Sequence, residues 1–187
     1  MGRDKAWLRF GAETLLARVA RICGEVADEV VLVAREGQPL PDGMNAVRDA
    51  AEGLGPLAGI AAGLSAIRNE RALVVACDMP LLRPPLARRL LELGVGFDAC
   101  VPRVFGFPVP TCAVYARSVA ALAHERVAAG LLAPRGLLGL VRTRFVSEDE
   151  LRDVDPELES FRDCDSEEDL AAALRAARLA TEARRTS

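Results

Sequence analysis

A chain of 187 residues, 51% hydrophobic and 27% charged, has an ordinary globular composition. Its length fits a single domain, residues 1–187, that buries roughly 70% of its unfolded surface. The net charge is -3, and no basic stretch is interleaved with aromatics, so a nucleic-acid-binding face is not expected. No apolar run approaches the ~20 residues that span a bilayer. No charged-then-apolar leader opens the chain, so the expected location is the cytoplasm. The five cysteines (Cys23, Cys77, Cys100, Cys112 and Cys164) form no CxxC pair. Only His124 is available to join them, so reduced thiols are expected rather than zinc.

In chain order, "ETLLARVARIC" puts Leu15, Leu16, Val19 and Ile22 on one helical face. "DEVVLVAR" reads as a β-branched strand and "EGQPLPDGMN" as a loop. "AVRDAAEGLGPLAGIAAGLSAI" passes from a short strand through a Gly-rich loop into a small-residue helix. "RALVVACDMPLL" holds a valine-rich run that fits a parallel strand covered on both faces. "RPPLARRLLELG" is a helix opened by prolines and closed at Gly94. "FDACVPRV" and "VPTCAVYA" read as strands flanking "FGFP". "SVAALAHERVAAG" is a helix, in which His124 is a surface or packing residue, and "RGLLGLVR" a short one. "TRFVSE" is a short strand, and "DCDSEEDLAAALRAARLA" an amphipathic C-terminal helix with an Asp/Ser cap. Alternating strands and helices predict a mostly parallel sheet between helical layers, with ligands beyond the strands' C-terminal ends.

Four groups of residues stand out. Asp78, at the end of a strand, suits either a divalent metal or a turn cap ahead of Pro80. Gly53, Gly55 and Gly59 around Pro56 form either a ligand-approaching loop or an ordinary helix start. Asp163 and Asp165, two apart, face one side of an extended segment, and Asp165 is also placed to cap the last helix. Lys5 follows Gly2 and suits a phosphate contact or plain solvation.

Taken in order, these pieces resemble the molybdenum cofactor guanylyltransferase family, nucleotidyltransferases of glycosyltransferase-A-like fold. "MGRDKAWL" matches the tail of that family's LAGG-x-S-x-R-M-G-x-D-K motif through Met1, Gly2, Asp4 and Lys5. "GPLAGIAAGL" (55–64), with Asp49 upstream, resembles its second motif, and "ACDMPLL" (76–82) its metal-binding motif. "PVPTCAVY" and "FRDCDSEEDL" resemble its P-x-P-L-x-A-x-Y strand and its F-x-N-x-N-T-P-E-D-L segment.

The resemblance implies a three-layer α/β/α, Rossmann-like sandwich. The implied reaction transfers GMP from GTP to the terminal phosphate of molybdopterin cofactor, releasing pyrophosphate. It further implies Mg²⁺ on Asp78 and Lys5 against the phosphates. Asp49, Gly55, Pro56, Leu57 and Gly59 would then lie around the nucleotide, and Asp163 and Asp165 on the acceptor side. Contact with molybdoenzyme-maturation proteins is implied in turn.

Two departures qualify this. Asp163-Cys164-Asp165 stands where the family has Asn-x-Asn, and carboxylates cannot donate hydrogen bonds as amides do. CTP, or another phosphorylated acceptor, therefore stays open, as does a non-catalytic relative acting as a binding module. Second, the family's first strand and glycine loop have no counterpart. The expectation is a truncated reading whose neighbouring strands lie two spacings apart, roughly 10 Å.

Overall fold

The computed structural model describes residues 5–41, 43–48 and 53–186, with side chains through 177. A small hairpin, β1 (Arg9–Phe10) against β2 (Glu13–Thr14), leads into α1 (Leu15–Gly24). Thr14 stops the extended chain there: its hydroxyl accepts the Ala17 N–H at 3.2 Å, which satisfies one of the helix's free donors. Leu15, Val19 and Ile22 are buried as the helical spacing predicts, and Leu16 is half-buried.

Next come β3 (Leu32–Ala34), β4 (Ala46–Arg48), α2 (Gly55–Ala66), β5 (Arg71–Val75) and α3 (Pro84–Leu93). β6 (Ala99–Val104), β7 (Phe107–Pro108), β8 (Cys112–Ala116) and α4 (Val119–Ala128) follow, and then β9 (Thr143–Val146) and α5 (Glu167–Thr186). The stretch predicted as a short helix before β9 is a single 3₁₀ turn, Pro134–Leu137.

β8 shows why the sheet has a helical layer on each face. Its alternating side chains divide the core: Cys112 and Val114 face Leu86 and Leu90 of α3, while Ala113 and Tyr115 face α2 and α4. The expected three-layer α/β/α arrangement is the one observed. β5, β6 and β9 run in one direction, but β8 lies between β5 and β6 and opposes both. The hairpin through β7 explains this, since a short connection returns the chain antiparallel.

β5 departs from its predicted setting. It pairs antiparallel with β8 alone among the described residues, and all five of its residues are half-buried rather than covered. Its other edge faces β3, which among the described residues pairs only with β4. Between them runs an apolar slot of about 450 Å³, lined by Val19, Leu32, Val33, Leu73 and Val75.

Candidate functional site

β5 delivers the chain to a turn containing Asp78. Met79, Leu81 and Leu82 are buried and anchor this turn. The Met79 N–H bonds the Ala76 carbonyl at 3.4 Å and the Leu82 N–H bonds that of Met79 at 3.3 Å. With its neighbours pinned, Asp78 is left half-buried at the C-terminal end of the sheet.

The segment carrying Asp163 and Asp165 runs alongside. The Cys164 N–H donates to the Asp78 carbonyl at 2.8 Å, and the Cys164 side chain is buried. This alternation turns the two flanking aspartates outward, where both are exposed. Lys5 closes the group: its ammonium is ion-paired with Asp165. The hydrogen bond to Asp165 is the chief cause that raises the Lys5 pKa above its ordinary 10.5; burial opposes it, and the charges of Asp165, Asp78 and Asp163 add to it. The Asp78 pKa is raised as well, which for a carboxylate disfavours the charged form. Burial pushes its pKa above 3.8, Lys5 and the residue's own backbone N–H pull it back, and Asp163 and Asp165 push it up again. Four residues from both ends of the chain and its middle thus form one electrostatic unit.

Three carboxylates face one ammonium here, and that ammonium is engaged by Asp165. The excess negative charge suits a divalent cation. No cluster of three or more His, Cys, Asp or Glu groups with ligand spacing occurs among the described residues. A complete protein cage is therefore not offered. Mg²⁺ does not need one, since it takes one or two carboxylates and completes its shell with water and phosphate oxygens. The donor set fits that ion.

The glycine loop enters α2 at Gly55, whose φ of 68° places it in the left-handed region. Leu54 occupies the cap position with no side-chain hydrogen bond, and Pro56 stands in the first turn. Leu54 thus offers the first-turn N–H groups no side-chain acceptor, and N–H groups at a helix start suit an anionic ligand. Leu57 is fully buried in the core, so only its main chain can face a ligand. A Cβ on Gly59 would lie 3.9 Å from Val33, so this glycine faces β3. Asp49, Met1, Gly2 and Asp4 lie outside the described residues.

One expectation is corrected. Asp165 does not cap α5; Ser166 does. The Ser166 hydroxyl accepts the Asp169 N–H at 3.1 Å, and the Asp169 carboxylate accepts the Ser166 N–H at 2.8 Å. This reciprocal box is the one favoured at helix starts, and it releases Asp165 to pair with Lys5. Replacing Ser166 with alanine is expected to cost about 1 kcal/mol of stability, read as a lower denaturant midpoint at unchanged slope. An unchanged midpoint would remove the cap from the account.

Sequence reasoning passed over Asp155, Ser160 and Arg83, which join the two acidic segments below the surface. Asp155 and Ser160 are both fully buried. Two polar residues among the apolar Leu151, Val154, Leu158 and Phe161 were the available signal, and an ordinary turn has the same pattern.

The comparisons with known proteins identify the family. The model of the MobA-like NTP transferase domain matches residues 1–144. A probable molybdenum cofactor guanylyltransferase of Pelotomaculum thermopropionicum is 39% identical over 153 residues, covering 81% of this chain and 75% of that protein. The molybdenum cofactor guanylyltransferase of Desulfosudis oleivorans is 32% identical over 185 residues, covering 95% and 91%. Among solved structures, molybdopterin-guanine dinucleotide biosynthesis protein A of Archaeoglobus fulgidus superposes with a TM-score of 0.80 at 24% identity, covering 95% of this chain and 92% of that one. The 2-C-methyl-D-erythritol 4-phosphate cytidylyltransferase of Thermus thermophilus shares the fold at a TM-score of 0.72 and 24% identity, covering 94% of each chain. With the family model matched across most of the chain and the acidic site at the sheet's C-terminal end, the chain belongs to the MobA-like NTP transferase family.

Proposed function

We propose that this chain, as a single nucleotidyltransferase domain, transfers GMP from GTP to the terminal phosphate of molybdopterin cofactor. The observation that carries this reading is the convergence of Lys5, Asp78, Asp163 and Asp165, in a chain whose relatives bear guanylyltransferase names. An oxygen of the acceptor's terminal phosphate attacks the α-phosphorus of GTP. A new P–O bond forms, the bond from the α-phosphorus to the bridging oxygen breaks, and pyrophosphate leaves with the electron pair. A phosphate monoester is largely ionised near neutral pH, its second pKa being about 6. No general base is needed, which fits a site built from charge rather than from histidine or cysteine.

Phosphoryl chemistry of this kind depends on alignment and charge neutralisation. Asp78 would hold Mg²⁺, which when bound shields the triphosphate and the departing pyrophosphate. Lys5 lends a second positive charge to the same oxygens. The loop from Gly55 to Gly59 would serve the nucleotide, and Asp49, by the resemblance alone, its base or ribose. Asp163 and Asp165 lie toward the acceptor, where as carboxylates they accept hydrogen bonds and leave donation to the ligand. We place the reaction in the cytoplasm, with delivery of the labile product to a molybdoenzyme-maturation protein. No helix among the described residues is long and apolar enough to cross a membrane.

The Asp163-Cys164-Asp165 segment favours one second reading, a cytidylyl transfer on the same site. Calorimetric titration with Mg²⁺ and either GTP or CTP separates the two. Binding of GTP in preference to CTP supports guanylyl specificity, and the reverse moves the function to CTP. If neither binds, the non-catalytic reading takes over.

A further inference from the structure

Asp155 is fully buried, and its carboxylate accepts two backbone N–H groups, from Glu159 at 3.2 Å and Ser160 at 2.9 Å. The Arg83 guanidinium lies 3.3 Å from the same group and also reaches Glu159 at 3.2 Å. Ser160, buried as well, accepts the Arg83 N–H at 3.0 Å, and its hydroxyl lies 3.5 Å from the Leu81 carbonyl. The same two stretches of chain meet again four residues later, where the Cys164 N–H bonds the Asp78 carbonyl at 2.8 Å. Between Asp155 and Ser160, Leu158 holds a left-handed backbone at φ 52° although it is 1% exposed. A bulky residue keeps that conformation only where its surroundings impose it.

This buried polar seam therefore runs along the join between the Asp78 turn and the Asp163–Asp165 segment. Only the carboxylate end of the pair is buried, since the Arg83 side chain stays 33% exposed, so Asp155 ties its own turn to the Arg83 stretch from within the core, and removing one partner of such a buried charge is costly. We propose that Asp155 is a positioning residue. Acting through Arg83 and Ser160, it sets the spacing between Asp78 and the Asp163–Asp165 pair. The catalytic consequence rests on the guanylyl-transfer reading; the spacing itself does not.

The test compares Ser160→Ala and Asp155→Asn with the wild-type chain, below their unfolding temperatures. Two readouts are taken: amide exchange at Cys164, and GTP-dependent turnover. Cys164 exchange is expected to quicken about tenfold in both variants, because its bond reports local opening of the join. Turnover is expected to fall about tenfold or more with KM for GTP unchanged, as misalignment predicts. In an Asp78→Asn background, Ser160→Ala should lower turnover no further, since there is then no carboxylate to position.

Unchanged Cys164 exchange overturns the proposal, and so does unchanged kcat in an enzyme that turns over. An equal loss in the Asp78→Asn background also overturns it, since that marks general damage to the fold. If the wild-type chain makes no product from GTP, the functional reading fails by itself. Cys164 exchange then decides the spacing role alone, faster exchange supporting it and unchanged exchange overturning it.

Discussion

Replacing Asp78 with asparagine is expected to lower kcat by about 10³-fold while leaving the folded protein no less stable. The two halves of this expectation have one cause. Burial raises the Asp78 pKa above 3.8, so the ionised form is penalised in the folded chain. A raised folded pKa means that the stability linked to this group is greatest below 3.8 and is lost as pH climbs through the folded value. At neutral pH the charged carboxylate therefore works against the fold, and the neutral amide of the same shape does not. Thermal midpoints measured without metal or nucleotide should be equal or higher for Asp78→Asn at pH 7 and should converge with wild type in acid. A lower midpoint at pH 7 would show that Asp78 is a structural cap, and kcat within tenfold of wild type would remove it from the reaction.

Lys5→Ala is the second large effect, with an expected loss of about 10²-fold in kcat. Here stability should hardly move, because the Lys5–Asp165 pair is substantially exposed, with side chains at 36% and 65%. Exposed pairs of this kind contribute roughly 0–1 kcal/mol. Losing the ammonium leaves Asp78, Asp163 and Asp165 without the cation that balances them, so nucleotide binding should weaken as turnover drops. Steady-state kinetics with a parallel nucleotide titration read both quantities. Retained turnover in Lys5→Ala would mean that the lysine is only the surface partner of Asp165.

Much of this was legible in the sequence, for physical reasons that differ from element to element. Helical spacing placed the buried face of α1, and "VPTCAVYA" was legible as the strand that β8 forms. The valine run before Asp78 announced a strand, and the strand end announced the site. What the run could not announce was its neighbours: five apolar residues look the same whether the adjacent strand runs parallel or, as β8 does, antiparallel. Nor does the run record that one edge faces an apolar slot instead of a strand.

At the site, the D-x-D spacing showed that Asp163 and Asp165 share a side, because extended chain alternates. It did not show that Cys164 would bond Asp78, a join between distant segments that only the fold creates. Ser166 and Asp165 are adjacent oxygen-bearing candidates for the same cap, and local sequence favours both. The tertiary pairing of Asp165 with Lys5 leaves the cap to serine. Asp155 was least visible, since its partners are a backbone turn and an arginine some seventy residues away.

The most direct measurement of the central claim is product analysis. The purified chain is incubated with GTP, Mg²⁺ and molybdopterin cofactor, and the mixture is resolved by chromatography with mass detection. The account predicts the GMP-linked dinucleotide and one equivalent of pyrophosphate, both formed about 10³-fold more slowly with Asp78→Asn. Formation of a CMP-linked product from CTP but none from GTP, or pyrophosphate release that Asp78→Asn leaves intact, would contradict it.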